Sequence, residues 1–552
     1  MIKKYFLIIF LGIILLASAL RLWQIGSVPP SPDWDEASLG YNAYSILHTG
    51  KDEYGKFLPV VIRSLDDYKP AFYMYVTVPS VAVLGLNVAA VRLPSAIFGI
   101  LSVIAVFYLV RELFKDYKYK DELSLLASFF MAISPWSIQF SRVAFESNVG
   151  TSLNIFAALF FLKGLKKPAL LPFSAIFAAL SIYTYQSEKV FTPLLALVLV
   201  LVFRKALGKL NKKYLIGGVV TGFIFMLPML WFLFFNSSSL SRLTSTSVFS
   251  SQTQVLQNSV MDLQNDKNNN DKLGLILDNR RIEYAKEILS GYISHFDLNW
   301  LFITGDIERH HAPNMGLLYL FELPLILFGI YALIFSNLDK NTKLAVFAWF
   351  LLAPLPASIT TGVPHAVRTL NFLPTFQIFS ALGLVSLILL LSKSKGTILN
   401  FKVGKIVVGL YLLFALFNFT YYLDQYFVQQ NYFDSSFWQY GYKQAVSDVS
   451  KISNNYKQIV VSNDREFDKS YIFFLFYLKY PPKDYQSVKT NAEFSSIKHF
   501  DKYTFRSLDW QTDSKMKDTL FIMPYDENSG SSRIIQTIYN LDGTPAIKII
   551  GS

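Results

Sequence analysis

The chain has 552 residues, of which 52% are apolar, 16% aromatic and only 16% charged, with a formal net charge of +12 and no cysteine. A soluble protein carries about 25% charged residues, and the apolar residues here fall in blocks near the length that crosses a bilayer. A soluble enzyme, a fibre and a disordered scaffold are excluded, as are disulfides, thiolate nucleophiles, thiolate zinc sites and iron–sulfur ligation.

The pattern predicts an α-helical polytopic membrane protein. Met1–Lys4 followed by Tyr5–Leu20 has the basic and apolar regions of a signal peptide, but no small-residue cleavage site precedes Arg21. A retained first span with a cytoplasmic amino end is expected. Ten further spans are expected at 93–110, 123–140, 149–162, 169–185, 190–203, 214–235, 317–335, 344–361, 370–391 and 406–423. The segments this places inside carry 20 Lys and Arg, whereas the short loops it places outside carry only Arg142, Lys189 and Arg368. That asymmetry is the positive-inside rule. Basic residues therefore orient the chain, and no nucleic-acid partner is needed to explain the net charge.

Eleven spans leave three large pieces outside the plasma membrane: a loop over 21–92, a loop over 236–316, and the last 129 residues. The expected domains are a membrane-embedded module over 1–423 and an extracytoplasmic domain over 424–552. Within the second loop, Asn265–Lys272 is polar and low in complexity, and reads as a loop tip. In the C-terminal region, β-like runs at Gln458–Ser462, Leu520–Met523 and Ala546–Ile550 alternate with a predicted helix around Ser470–Lys479. A small α/β domain is expected there.

Ionisable residues inside a bilayer are expensive and usually functional. Ten of the eleven spans contain none, and the exception is Glu322. An ion-coupled transporter would bury several such groups, so the chemistry is expected outside, at the membrane surface. The first outer loop opens on Asp33, Asp35 and Glu36. Asp33 and Glu36 have the spacing of a capping box for a helix that runs to His48 and stops at Gly50. A carboxylate in a first helical turn is favoured in its ionised form, so cap and proton acceptor are compatible readings. Next comes Asp66-Asp67-Tyr68-Lys69-Pro70-Ala71-Phe72-Tyr73, either an interfacial aromatic segment with a snorkelling lysine or a phosphate contact through Lys69. Arg142 and Glu146 lie on one short outer loop, Glu188 and Lys189 on another, and His365 and Arg368 on a third. His365 and Arg368 are three apart and share a helical face, where they could grip one phosphate or a lipid headgroup. His310-His311 are adjacent and lack zincin spacing, so no metal ligands are assigned and a divalent metal is left open as a cofactor.

The acidic pair after span one, the Lys-Pro and aromatic run, Gly85-Leu-Asn-Val-Ala-Ala-Val-Arg92-Leu-Pro94 and Pro364-His-Ala-Val-Arg368 resemble bacterial glycosyltransferases related to protein O-mannosyltransferases and lipid A aminoarabinose transferases, membrane enzymes of the GT-C class. Phe437–Val446 and Phe476–Pro482 resemble a C-terminal region of some bacterial members. The resemblance implies transfer of a sugar from a polyprenyl-phosphate donor to a protein, lipid or glycan acceptor. It implies Asp35 as general base with Glu36 its neighbour, Lys69 near the donor phosphate, and Glu146 as a second acidic loop residue. Members often carry Lys-Pro-Pro, whereas here Ala71 replaces the second proline. Rival readings are a polysaccharide polymerase or ligase using a lipid-linked glycan, a lipid-linked sugar flippase, and a non-catalytic envelope scaffold. The nearly charge-free spans count against the flippase.

Overall fold

Each of the eleven expected spans contains a helix, although the one expected at 317–335 begins only at Glu322 and the one expected at 344–361 is broken after Leu352. The computed structural model describes the chain apart from residues 1, 66, 236–246, 250–253, 393–396, 399–400, 465–466, 468, 489–496 and 531. In chain order the main elements are α1 (Ile2–Leu22), α2 (Trp34–Thr49), the hairpin β1 (Val61–Ser64) and β2 (Asp67–Pro70), α3 (Phe72–Leu84) and α4 (Val88–Leu113). Then follow α5 (Lys120–Ile133), α6 (Pro135–Arg142), α7 (Glu146–Gly164), α8 (Leu171–Ile182), α9 (Glu188–Val202) and α10 (Lys212–Phe235). The second half contributes α11 (Gln254–Asn268), α12 (Arg280–Ser294), α13 (Glu322–Phe335), α14 (Lys340–Leu352), α15 (Thr375–Ser392) and α16 (Val403–Asp424). Among the described residues, five helices are long and apolar enough to cross a membrane, or six if α5 and α6 form one span. Those two meet at a 54° bend. Its cause is local: Ser134 precedes Pro135 and takes ψ of 122°, the extended conformation a following proline imposes. Asp66 lies outside the described residues. The polar run after Asn265 is not simply a loop tip, since α11 continues to Asn268.

The chain divides into two compact units, and the division does not fall at residue 423. The first comprises Met1–Ala17, Ile100–Ser137 and Ser147–Phe419. In it α13 and α15 approach closely because both carry glycine at the crossing. A Cβ at Gly329 would stand 1.9 Å from the Phe379 carbonyl oxygen, and one at Gly383 2.0 Å from that of Leu325. Small residues that let backbones touch are the usual means of packing helices in lipid. The in-span acid Glu322 is buried and accepts a hydrogen bond from Ser380 Oγ at 3.0 Å. Glu188, read from the sequence as a loop residue, is also fully buried. It accepts from Asn154 at 2.6 Å and Asn371 at 2.7 Å, tying α7, α9 and the turn before α15 together.

The second unit comprises Ser18–Gly99, Ile138–Glu146 and Thr420–Ser552. Here residues 18–99 group with the C-terminal region. After α17 (Tyr442–Ile452) come β3 (Gln458–Ser462), α18 (Ser470–Leu478), β4 (Lys498–Phe500), β5 (Tyr503–Arg506), β6 (Thr519–Pro524), β7 (Ile534–Tyr539) and β8 (Pro545–Gly551). They form one six-stranded mixed sheet, order β4-β5-β3-β6-β8-β7, with β3 parallel to both β5 and β6. The expected strands and helix are all present. Val460, Phe521, Met523 and Ile550 form a core under Leu508, Trp510 and Met516. Helix α18 is apolar all round, with Tyr471 to Phe476 buried, as a helix covered on every side must be. One cover is α2: a Cβ at Gly40 would lie 2.6 Å from Val91 Cγ2 and 2.7 Å from Phe476 Cε2.

Glu53 sits in this packing, 1% exposed. It accepts from Asn42 Nδ2 at 3.2 Å and from the Tyr471 hydroxyl at 3.4 Å. Burial raises its carboxyl to about 7, against partial opposition from the Asn42 hydrogen bond. Between about pH 4.5 and 7 the unfolded chain ionises this group while the folded chain keeps the proton. Its contribution is therefore full at low pH and is lost as pH rises through that window. Glu53→Gln should remove a pH-dependent loss on the order of 3 kcal/mol across that window. Melting in detergent from pH 4.5 to 8 checks this, and identical pH profiles for variant and wild type would refute it.

Candidate active site

The carboxylates Asp33, Asp35 and Glu36 are placed by the start of α2. Asp33 is its N-cap, accepting from Glu36 N at 2.8 Å, and Glu36 Oε2 accepts in return from Asp33 N at 3.3 Å. The helix ends at Gly50 with φ of +69°, the left-handed stop that glycine permits. Glu36 has a second commitment. Its Oε1 accepts from Arg92 Nε at 2.8 Å and Ala144 N at 2.9 Å, and its Oε2 from Arg92 Nη2 at 2.8 Å. Arg92 is fully buried, and its remaining donors reach the carbonyls of Ile25 (3.1 Å), Pro29 (2.8 Å) and Ser31 (2.7 Å). All five guanidinium N–H groups are thereby used. Arg142, also fully buried, donates to Leu20 O at 2.8 Å and Val28 O at 3.0 Å and lies over the Tyr426 and Phe427 rings. Two guanidiniums thus hold the turn-rich segment 20–31, whose carbonyls need donors where they are buried.

Asp35 faces differently. Its side chain is 37% exposed and accepts a hydrogen bond from Lys69 Nζ. The hairpin carries Lys69 there, opposite Ile62 in the ladder. The residue at the second-proline position matters here, because Ala71 N donates to Val60 O at 3.1 Å, a bond proline cannot make. Burial works against the Lys69 charge, but Asp35 and then Glu146 more than offset it, and its pKa is raised. Glu146, at the start of α7, is buried. Burial lifts its carboxyl to about 7, moderated by Lys69 and reinforced by Asp35. A lysine paired with a half-exposed carboxylate and stabilised by the charge of a buried one is an arrangement that can accept a proton and balance an anion.

The first unit holds a separate polar cluster. His365 N donates to His295 Nε2 at 3.1 Å, and Ala366 N to Asp306 Oδ2 at 2.6 Å. Asp306 also bonds His310 Nδ1 at 2.9 Å. Arg368 Nη1 donates to Thr360 Oγ1 at 2.5 Å and Thr361 O at 2.7 Å. The sequence therefore placed His365 and Arg368 together, but it missed Asp306 and read His310 only beside His311. It also passed over Arg92 as a site residue; a lone arginine at the mouth of an apolar run was the available signal.

Residues 68–232 match the family described as dolichyl-phosphate-mannose-protein mannosyltransferase. No curated protein sequence matches the chain. The structure is similar to ArnT from Cupriavidus metallidurans in the apo state, with a TM-score of 0.54 and 12% identity over 100% of this chain and 98% of that one. The same protein bound to undecaprenyl phosphate gives 0.54 and 12% over 98% and 97%. The Archaeoglobus fulgidus oligosaccharyltransferase in the apo form gives 0.50 and 15%, over 86% of this chain but only 64% of that one. The chain is thus a polytopic membrane protein that shares the fold of ArnT, and its residues 68–232 match the family described as dolichyl-phosphate-mannose-protein mannosyltransferase.

Proposed function

We propose that the protein transfers a sugar from a polyprenyl-phosphate carrier to an acceptor hydroxyl at the extracytoplasmic face of the plasma membrane, with its amino end cytoplasmic. The observation that carries this reading is Asp35, half-exposed at a helix start and paired with Lys69, whose charge Glu146 also favours. Asp35 takes the acceptor hydroxyl proton as the oxygen bonds to the anomeric carbon. The bond from that carbon to the phosphate oxygen breaks, and its electron pair leaves on the polyprenyl phosphate. One direct displacement inverts the anomeric configuration. Lys69 supplies positive charge for the leaving phosphate, where fixed cations contribute strongly. Glu36 and Arg142 position the backbone around the acid rather than meeting substrate: both Glu36 oxygens are held by Arg92, and Arg142 is fully buried with Nη1 and Nη2 on the Leu20 and Val28 carbonyls. Support for the carrier comes from the similar ArnT, which binds undecaprenyl phosphate.

Glu146 is the second reading for the base. Its carboxyl stands at about 7, and a base is most effective near the working pH.

Arg368 is assigned to the donor phosphate, since Nη1 bonds the loop and the fork's other face has no protein partner among the described residues. Arg368→Ala should weaken donor use about tenfold or more, the value of one charge-assisted hydrogen bond. Arg368→Lys should recover it only in part, because lysine lacks the fork. Unchanged donor kinetics in the alanine variant would return this residue to a lipid-headgroup role.

A further inference from the structure

Asp306, His310 and His365 each offer one ligand atom, and these atoms lie within 4.8 Å of one another. The cluster draws on two distant stretches of chain, 306–310 and 365, so its assembly is a property of the fold. An Asp–His ion pair would account for Asp306 and His310 alone, at 2.9 Å. It leaves the second imidazole unexplained. The His365 ring stands 5.2 Å from that of His310, centroid to centroid, and its buried Nδ1 has no hydrogen-bond partner among the described residues. Two imidazoles beside one carboxylate gain little from each other without something between them.

We infer that these three residues bind a divalent transition-metal ion. Two imidazoles and a carboxylate suit zinc and its neighbours better than magnesium or calcium, which prefer all-oxygen shells. Tetrahedral bonds of about 2.1 Å would set the ligand atoms roughly 3.4 Å apart. Loading therefore asks for a modest inward movement of side chains already in place, with the ion replacing the proton between Asp306 and His310.

The surroundings hold the ligands from outside. Ala366 N donates to Asp306 Oδ2 at 2.6 Å. His295 Nδ1 meets the Gly291 carbonyl at 2.6 Å and must donate to it, which leaves Nε2 to accept from His365 N. Supports of this kind orient ligands and tune a metal site. Three protein ligands also leave a fourth position for water or a substrate oxygen. His311 is not a ligand, since its two ring nitrogens face the carbonyls of Ala312 at 2.7 Å and Asp306 at 2.6 Å.

The test uses the purified full-length protein, stripped with a chelator, dialysed against zinc and assayed for metal by mass spectrometry. Wild type should retain roughly one ion per chain. His365→Gln and Asp306→Asn should lose most of it, while His311→Gln keeps it. The visible spectrum of the cobalt-loaded wild type gives a reading that needs no variant, with intense d–d bands expected for a tetrahedral site. Wild type that retains no metal and shows only the aquo-cobalt spectrum overturns the assignment, as does full retention in both ligand variants. Neither measurement involves a sugar donor, so this inference and the proposed transfer reaction fail separately.

Discussion

Asp35→Asn should lower turnover roughly 10²–10⁴-fold while folding and donor binding survive, the loss expected when a positioned base can no longer take a proton. The substitution preserves shape, and Lys69 Nζ can still donate to the amide oxygen where it now meets the carboxylate. Asp33→Asn is the matched control. Asp33 caps α2 by accepting from Glu36 N, and asparagine caps as well as aspartate, so that variant should be nearly silent. Turnover is compared at saturating donor in one detergent. Wild-type turnover from the Asp35 variant would shift the base to Glu146, and Glu146→Gln would then carry the loss.

The second large effect concerns stability. Arg92→Leu should destabilise the second unit by about 3–5 kcal/mol, the cost of breaking a buried pair from one side. The change strands Glu36 without its guanidinium and leaves the carbonyls of Ile25, Pro29 and Ser31 without those donors. Replacing both partners, Arg92→Leu with Glu36→Leu, removes the stranded charge and should recover part of the loss. It should not recover all of it, because Glu36 also serves Ala144 N and the α2 cap. Thermal melting of the single and double variants measures this. Additive losses would show that Arg92 and Glu36 are not energetically coupled.

What could be read from the sequence was set by local chemistry. Apolar runs of spanning length announce helices in lipid whatever they pack against, and each of the eleven expected segments contains one. The Asp33-Glu36 spacing and Gly50 mark both ends of α2 because a cap needs only its own neighbours. Strands Gln458–Ser462 and Thr519–Pro524 show through because the middle of a sheet is continuously apolar. The edge strand Ile534–Tyr539 is half exposed and carries no such run. Non-local pairing was hidden. Nothing near Glu36 in the sequence indicates that Arg92 and Ala144 converge on it, or that Arg142 is engaged by carbonyls more than a hundred residues earlier. The same reason concealed Asp306 with His365: the adjacent His310-His311 pair drew attention, while the ring that approaches His310 comes from another loop. Hydropathy separates lipid from water, but it does not say that residues 18–99 group with 420–552 in one compact unit.

The central claim is sugar transfer from a lipid phosphate with Asp35 as base. It is tested most directly by incubating the purified protein with a panel of polyprenyl-phosphate sugars and following release of free polyprenyl phosphate. At least one donor should be consumed, with release abolished or greatly slowed in Asp35→Asn and intact in Asp33→Asn. No release from any donor by folded wild-type protein supplied with protein, lipid and glycan acceptors, or equal release by the Asp35 variant, would contradict it.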